Sequence, residues 1–258
     1  MIELAAGDAI VDVSPAEGGR VAQIRVAGRE LLAGIEAASS AVSWGSYPMA
    51  PWAGRIRRGL LHANGTTYQL PITMPPHAIH GTAHLASWEV LDAGLDHVEM
   101  QTPLLTPFAG TVHQHLQLTP DALVCLLSVV LTDRAMPVTI GWHPWFRKPL
   151  DDRLQFDQLY VRDDDYIPSG ELISPPERPW DDCLVGAHHP LLLHYRELTV
   201  TVSSDCDHWV VYDQPTNATC VEPQTGPPDA ANLGLAQILE PGELLQRTMT
   251  IAWRPTGG

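Results

Sequence analysis

The chain has 258 residues, 45% hydrophobic and 17% charged, with 30 acids against 15 bases and a formal charge of −15. That length is enough to bury a sizeable core without disulfides or metals, and one all-β domain reaches this size. The acidic excess leaves no basic footprint for a phosphate backbone, which excludes nucleic acid as a partner.

Residues 1–8 carry neither a basic nor an apolar signal region, so no leader is expected. Further along, residues 21–26, 198–203 and 248–253 alternate with period two and read as strands with one buried face. Residues 29–39 form the best short helical candidate, weakened by Gly34. Ala27-Gly28 and Asn64-Gly65 read as hairpin turns. The apolar run 123–131, with Cys125 inside it, reads as a strand covered on both faces. Segments 43–64, 71–86, 141–152, 163–190 and 214–234 lack strand patterning and read as long irregular loops. No stretch approaches 18 apolar residues, so no membrane span is expected. The 23 prolines and 20 glycines imply many turns and few long helices. Together these features predict a sandwich or barrel in one domain, residues 1–258. The four cysteines form no CxxC and read as reduced thiols, which points to the cytoplasm.

The irregular segments hold the ionisable and aromatic residues. The run Tyr47-Pro48-Met49-Ala50-Pro51-Trp52-Ala53-Gly54-Arg55-Ile56-Arg57-Arg58 places three of the fifteen bases in four positions. In extended backbone Arg55 and Arg57 point one way and Arg58 the other. His80 and His84 have the spacing of a helical metal pair. Gly81 and Pro75-Pro76 argue against a helix there, so neutral imidazoles making hydrogen bonds in a cleft fit better. His77 and His84 receive no role.

In Gly141-Trp142-His143-Pro144-Trp145-Phe146, Pro144 forces His143 into extended backbone. A histidine held this way among Trp residues has what a general acid needs. Glu222, between Val221 and Pro223, reads either as a surface-turn residue or as a base whose pKa is raised by its pocket. Asp181 and Asp182 read as loop acids, one of which would accept hydrogen bonds from a polyol. His113 and His115 share a strand face like the opening of a cupin metal motif, but no acidic ligand follows. Dinucleotide, P-loop, serine-hydrolase and zincin motifs are missing. Acid/base chemistry on a neutral small molecule, or plain binding, is left. Eight Trp against three Phe suit a carbohydrate, whose C–H faces stack on indole.

Taken in order, Pro48-Met49-Ala50-Pro51-Trp52-Ala53-Gly54-Arg55-Ile56, His80-Gly81, Gly141-Trp142-His143-Pro144-Trp145-Phe146 and Glu222-Pro223-Gln224-Thr225-Gly226 resemble the aldose 1-epimerase (mutarotase) family. With the strand pattern outside them, the resemblance covers essentially the whole chain. It implies an all-β fold, a large antiparallel β-sandwich of the galactose mutarotase-like type, with an open concave face for a monosaccharide. In this comparison His143 corresponds to the general acid and Glu222 to the general base. Arg55 and His80 correspond to residues that orient the sugar, and Asp181, with Asp182 beside it, to the acid that contacts sugar hydroxyls. The implied activity is interconversion of hexose anomers by ring opening and reclosure, with no metal or organic cofactor, in a monomer or homodimer. Gly54 stands where the family often has Asn, and the chain is shorter than the galactose-specific members. Three alternatives remain: a hexose-6-phosphate 1-epimerase with Arg57 or Arg58 as phosphate clamp, a non-catalytic sugar-binding domain, and a cupin-type enzyme on His113 and His115.

Overall fold

The computed structural model describes residues 1–38 and 40–256. Strands dominate, in two large antiparallel sheets. The first runs Ile2–Ala6, Ala9–Ser14, Arg20–Val26, Ser46–Met49, Gly141–Arg147, Ala218–Gln224, His208–Tyr212, Asp181–Ala187, Phe156–Arg162, Pro168–Ile173, with Arg29–Glu30 added beside Arg20–Val26. The second is eight-stranded, from Glu89–Ala93 through His97–Pro103, Gly110–Leu118, Ala122–Leu131, Leu244–Pro255, Leu198–Ser204 and Leu191–His194 to Asp151–Arg153. The expected all-β antiparallel sandwich is the fold. No described helix is long and apolar enough to cross a membrane.

The core lies between the sheets. Along each central strand of the first sheet, alternate residues face it: Trp142 and Phe146, Val221, Trp209 and Val211, Leu184, Leu159. They share one cluster with Leu116, Leu127, Val129, Met249, Ile251 and Val202 of the second sheet. Each aliphatic or Phe side chain buried this way contributes about 1.5–3 kcal/mol. Gln114 ties the layers, accepting a hydrogen bond from the Trp142 indole at 3.3 Å and donating to the Gly19 carbonyl at 2.6 Å.

Several expectations need correction. Segments 141–152, 163–190 and 214–234 are not irregular throughout, because Gly141–Arg147, Asp181–Ala187 and Ala218–Gln224 lie mid-sheet. Prolines in a central strand ordinarily argue against that assignment, because proline gives no N–H to the ladder. Here the pairing between Gly141–Arg147 and Ala218–Gln224 breaks off after Gly141↔Gln224 and resumes at Trp145↔Cys220. Pro144 and Pro223 fall in that gap. The 29–39 helix is also absent: Arg29–Glu30 is a strand and Ile35–Ala37 a short 3₁₀ turn, while position 39 lies outside the described residues. In Ala122–Leu131 one face is fully buried, and Val124, Leu126 and Val130 on the other are half-buried. The Asn64-Gly65 and Ala27-Gly28 turns form as expected, both residues of each pair having positive φ.

Candidate functional site

The faces of the first sheet turned away from the core line a cavity of about 350 Å³, at the small end of ligand pockets. Period two puts Tyr47, His143, Trp145, Glu222, Val210, Tyr212, Asp181, Cys183, Tyr160 and Arg162 on its wall. Strand register arranges most of them in two rows. In one, Tyr47 lies opposite His143, and Val210 lies opposite both Glu222 and Cys183. In the other, Cys220 lies opposite Trp145 and Tyr212, and Tyr212 opposite Asp181. Arg55, His80, Met74, Tyr166 and Pro228 close the remaining sides.

His143 Nε2 stands 3.2 Å from Glu222 Oε1, and both side chains are almost fully buried. The imidazole is held between rings: Tyr47 stacks at 4.9 Å, Trp145 lies nearly parallel at 5.3 Å, and His80 meets it edge-on at 5.0 Å. Burial drives the His143 pKa down to about 3, helped by His84, Arg20 and Arg55. Burial and the nearby Asp181 carboxyl hold Glu222 well above the ordinary carboxylate range, against the pull of Arg55. Both shifts favour the uncharged pair, in which the one proton rests on the carboxyl. Moving it across the 3.2 Å gap gives carboxylate and imidazolium.

His80 adopts a left-handed conformation, φ 58°, followed by Gly81 at 74°. A Cβ on Gly81 would sit 1.9 Å from the Ala50 carbonyl oxygen, so only glycine fits. This turn brings His80 Nδ1 to accept a hydrogen bond from the Gly54 N–H at 3.3 Å. Burial keeps His80 neutral, so the tautomer assigned by that bond leaves Nε2–H as a donor. Gly54 has φ 71°, and a Cβ there would stand 2.9 Å from Pro228 Cα. That packing explains why a small residue precedes Arg55.

Arg55 is anchored by its own carbonyl, which accepts from the Asp229 N–H at 2.6 Å. Among the described residues no carboxylate oxygen lies within ion-pair distance of its guanidinium. Its charge nevertheless pulls down the Asp181 and Glu222 pKa values from a distance. The five expected site residues, His143, Glu222, Arg55, His80 and Asp181, thus line one cavity. Asp182 also reaches its rim, but its carboxylate is taken by Arg162 Nε at 2.6 Å.

The remaining candidates lie elsewhere. Arg57 is engaged by Asp163 at 2.5 Å and Asp165 at 3.2 Å, and neither Arg57 nor Arg58, the candidates for a phosphate clamp, lines the cavity. His77 Nδ1 accepts from the Arg58 N–H at 3.0 Å. His84 Nδ1 lies 3.1 Å from the His80 carbonyl, so both extra histidines hold backbone. His113 and His115 are half-buried on the second sheet, His115 stacking on His97 at 6.2 Å. They belong to no three-ligand cluster among the described residues. One such cluster is described, His143, Cys220 and Glu222, with ligand atoms within 4.8 Å of one another. Burial raises the Cys220 thiol pKa well above its usual value.

Tyr47, Tyr160, Arg162, Tyr166, Cys183 and Tyr212 were not foreseen. For the strand residues a signal existed in the i, i+2 pairs Tyr160/Arg162, Asp181/Cys183 and Val210/Tyr212.

Solved structures share this galactose mutarotase-like fold. A galactose mutarotase-like protein from Clostridium acetobutylicum superposes with a TM-score of 0.86 at 19% identity, covering 98% of this chain and 95% of that one. A GalM/aldose epimerase homologue from C. elegans gives 0.85 at 16% identity, covering 98% of both. Galactose 1-epimerase from Lactobacillus acidophilus NCFM gives 0.79 at 18%, covering 97% and 92%. No curated protein matches the sequence. The family model described as aldose 1-epimerase matches residues 1–252, and the chain belongs to that family.

Proposed function

We propose that this protein is a mutarotase that interconverts the α and β anomers of a neutral hexose, without metal or organic cofactor. The observation that carries the reading is the His143–Glu222 pair, 3.2 Å apart and buried in the floor of a monosaccharide-sized cavity. Ring opening needs one group ionised and its partner protonated at the same moment, and a pair sharing one proton meets that need.

In the carboxylate–imidazolium form, Glu222 takes the proton from the anomeric hydroxyl while His143 protonates the ring oxygen. The C1–O5 bond breaks, the aldehyde forms, and C1–C2 rotates. The reverse transfers close the ring on the other face and return the proton. Each positioned transfer contributes about 10²–10⁴-fold. Arg55 and the Nε2–H of His80 donate to sugar oxygens, and Asp181 accepts from sugar hydroxyls. With Arg57 engaged outside the cavity and acids on its wall, a neutral sugar suits the site better than a phosphosugar. The four free, buried cysteines fit a reducing compartment such as the cytoplasm.

The test is anomer exchange of fresh α-glucose and α-galactose, followed by polarimetry and by NMR. Acceleration that needs His143 and Glu222 supports the reading. Sugar binding with no acceleration for any aldose would make the protein a non-catalytic sugar-binding module instead.

A further inference from the structure

We propose that Tyr166 is a positioning residue for Arg55, a role that rests on the sugar-binding reading of the cavity. Arg55 is a cation on the cavity wall with no ion-pair partner among the described residues, so something other than a carboxylate must hold it. The Arg55 guanidinium carbon lies 4.7 Å from the centre of the Tyr166 ring, and that of Arg162 lies 4.0 Å from it. An aromatic face attracts a guanidinium without neutralising it. The hydrogen-bond donors of Arg55 therefore stay available for sugar oxygens.

The backbone around Tyr166 is built for this placement. Tyr166 has φ 60°, a region disfavoured for a bulky residue, at the tip of the turn between Phe156–Arg162 and Pro168–Ile173. Asp163 shapes the turn: its carbonyl accepts from the Tyr166 N–H, and its Oδ1 from the Asp165 and Ile167 N–H groups. Arg57 then binds the Asp163 and Asp165 carboxylates from outside. Asp229 fixes the Arg55–Arg57 run, donating its N–H to the Arg55 carbonyl and accepting from the Arg57 N–H at 3.2 Å. The two arginines of Arg55-Ile56-Arg57 thus grip one turn, Arg57 through its acids and Arg55 through its ring. This gives the clustered bases a purpose that phosphate binding does not.

The experiment is a double-mutant cycle on Tyr166 and Arg55, read by anomerisation kinetics and by sugar affinity from the fluorescence of Trp145 and the other tryptophans. Tyr166→Ala is expected to raise KM and the sugar Kd about fivefold, the fold-change of a cation–π contact of this kind, with kcat held within about twofold. Tyr166→Phe keeps the ring and restores wild-type values. In an Arg55→Ala background the Tyr166→Ala change has a much smaller effect, because only the contact of the ring with Arg162 is left to lose. Equal affinity in Tyr166→Ala and wild type overturns the proposal, as does full additivity of the two changes. If wild type binds sugar without turning it over, the mutarotase reading falls and the cycle is judged on Kd alone. If it binds no sugar, both fall.

Discussion

His84 offers a measurement that separates one buried ring from everything around it. It is 1% exposed, its Nδ1 meets the His80 carbonyl at 3.1 Å, and its Nε2 has no hydrogen-bond partner. Burial drives its pKa from 6.5 down to about 4. Between those values the unfolded chain holds a proton on this ring that the folded chain does not, so stability falls as pH drops through the window. The full gap corresponds to about 3 kcal/mol at 1.36 kcal/mol per pH unit, of which about 2 kcal/mol is lost between pH 8 and pH 5. His84→Phe keeps a ring of similar shape, removes the titration, and gives up one hydrogen bond of about 1 kcal/mol. Urea denaturation at intervals from pH 8 to pH 5 should find the variant about 1 kcal/mol less stable at pH 8. On acidification it should then lose about 2 kcal/mol less than wild type, so the two curves cross. Parallel curves would refute the argument, since removing His84 also relieves His143, which it pushes down, and so moves the variant in the same direction.

Glu222→Gln and His143→Asn should each slow anomer exchange about 10²–10⁴-fold with near-ultraviolet circular dichroism unchanged, and the double variant should be far from multiplicative. Gly81→Ala, whose Cβ would sit 1.9 Å from the Ala50 oxygen at φ 74°, should lower stability by about 2 kcal/mol or more, read as a drop in Tm. Low-millimolar inorganic phosphate should leave the rate on free hexose unchanged, because Arg57 is already paired with Asp163 and Asp165. Competitive inhibition there would reinstate the phosphosugar reading.

What the sequence revealed follows from how each strand meets its surroundings. Leu198, Val200 and Val202 alternate with Thr and Ser because one face meets the core and the other is largely polar. Gly141–Arg147 and Ala218–Gln224 break that code, since both faces are covered, one by the core and the other by the cavity wall. Their polar residues are buried too: His143 is 6% exposed and Glu222 2%. With a proline in each of these strands, the pattern looks like loop. The motifs at His143 and Glu222 were legible because chemistry restricts which side chains serve there. Tyr166 was not, because its place depends on a left-handed turn and on ion pairs that span more than 100 positions of sequence.

Hydrogen-bond partners also separate two neighbours that the sequence left side by side. Asp181 and Asp182 both line the cavity but do different work. Asp181 lies opposite Tyr212, in the row that continues to Cys220 and Trp145. Asp182 turns to Arg162 and neutralises it. The same logic applies to the gap between the His143 and Glu222 strands. A buried backbone N–H without a partner costs about 1–3 kcal/mol, so an open ladder at the centre of a sheet would ordinarily be closed by its own hydrogen bonds. Pro144 and Pro223 have no N–H to lose. They leave the ladder open over the stretch that carries the ionisable pair, while Gly141↔Gln224 and Trp145↔Cys220 keep the strands in one register on either side. In this chain the prolines that disguise the site as loop are also what lets a sheet accommodate it.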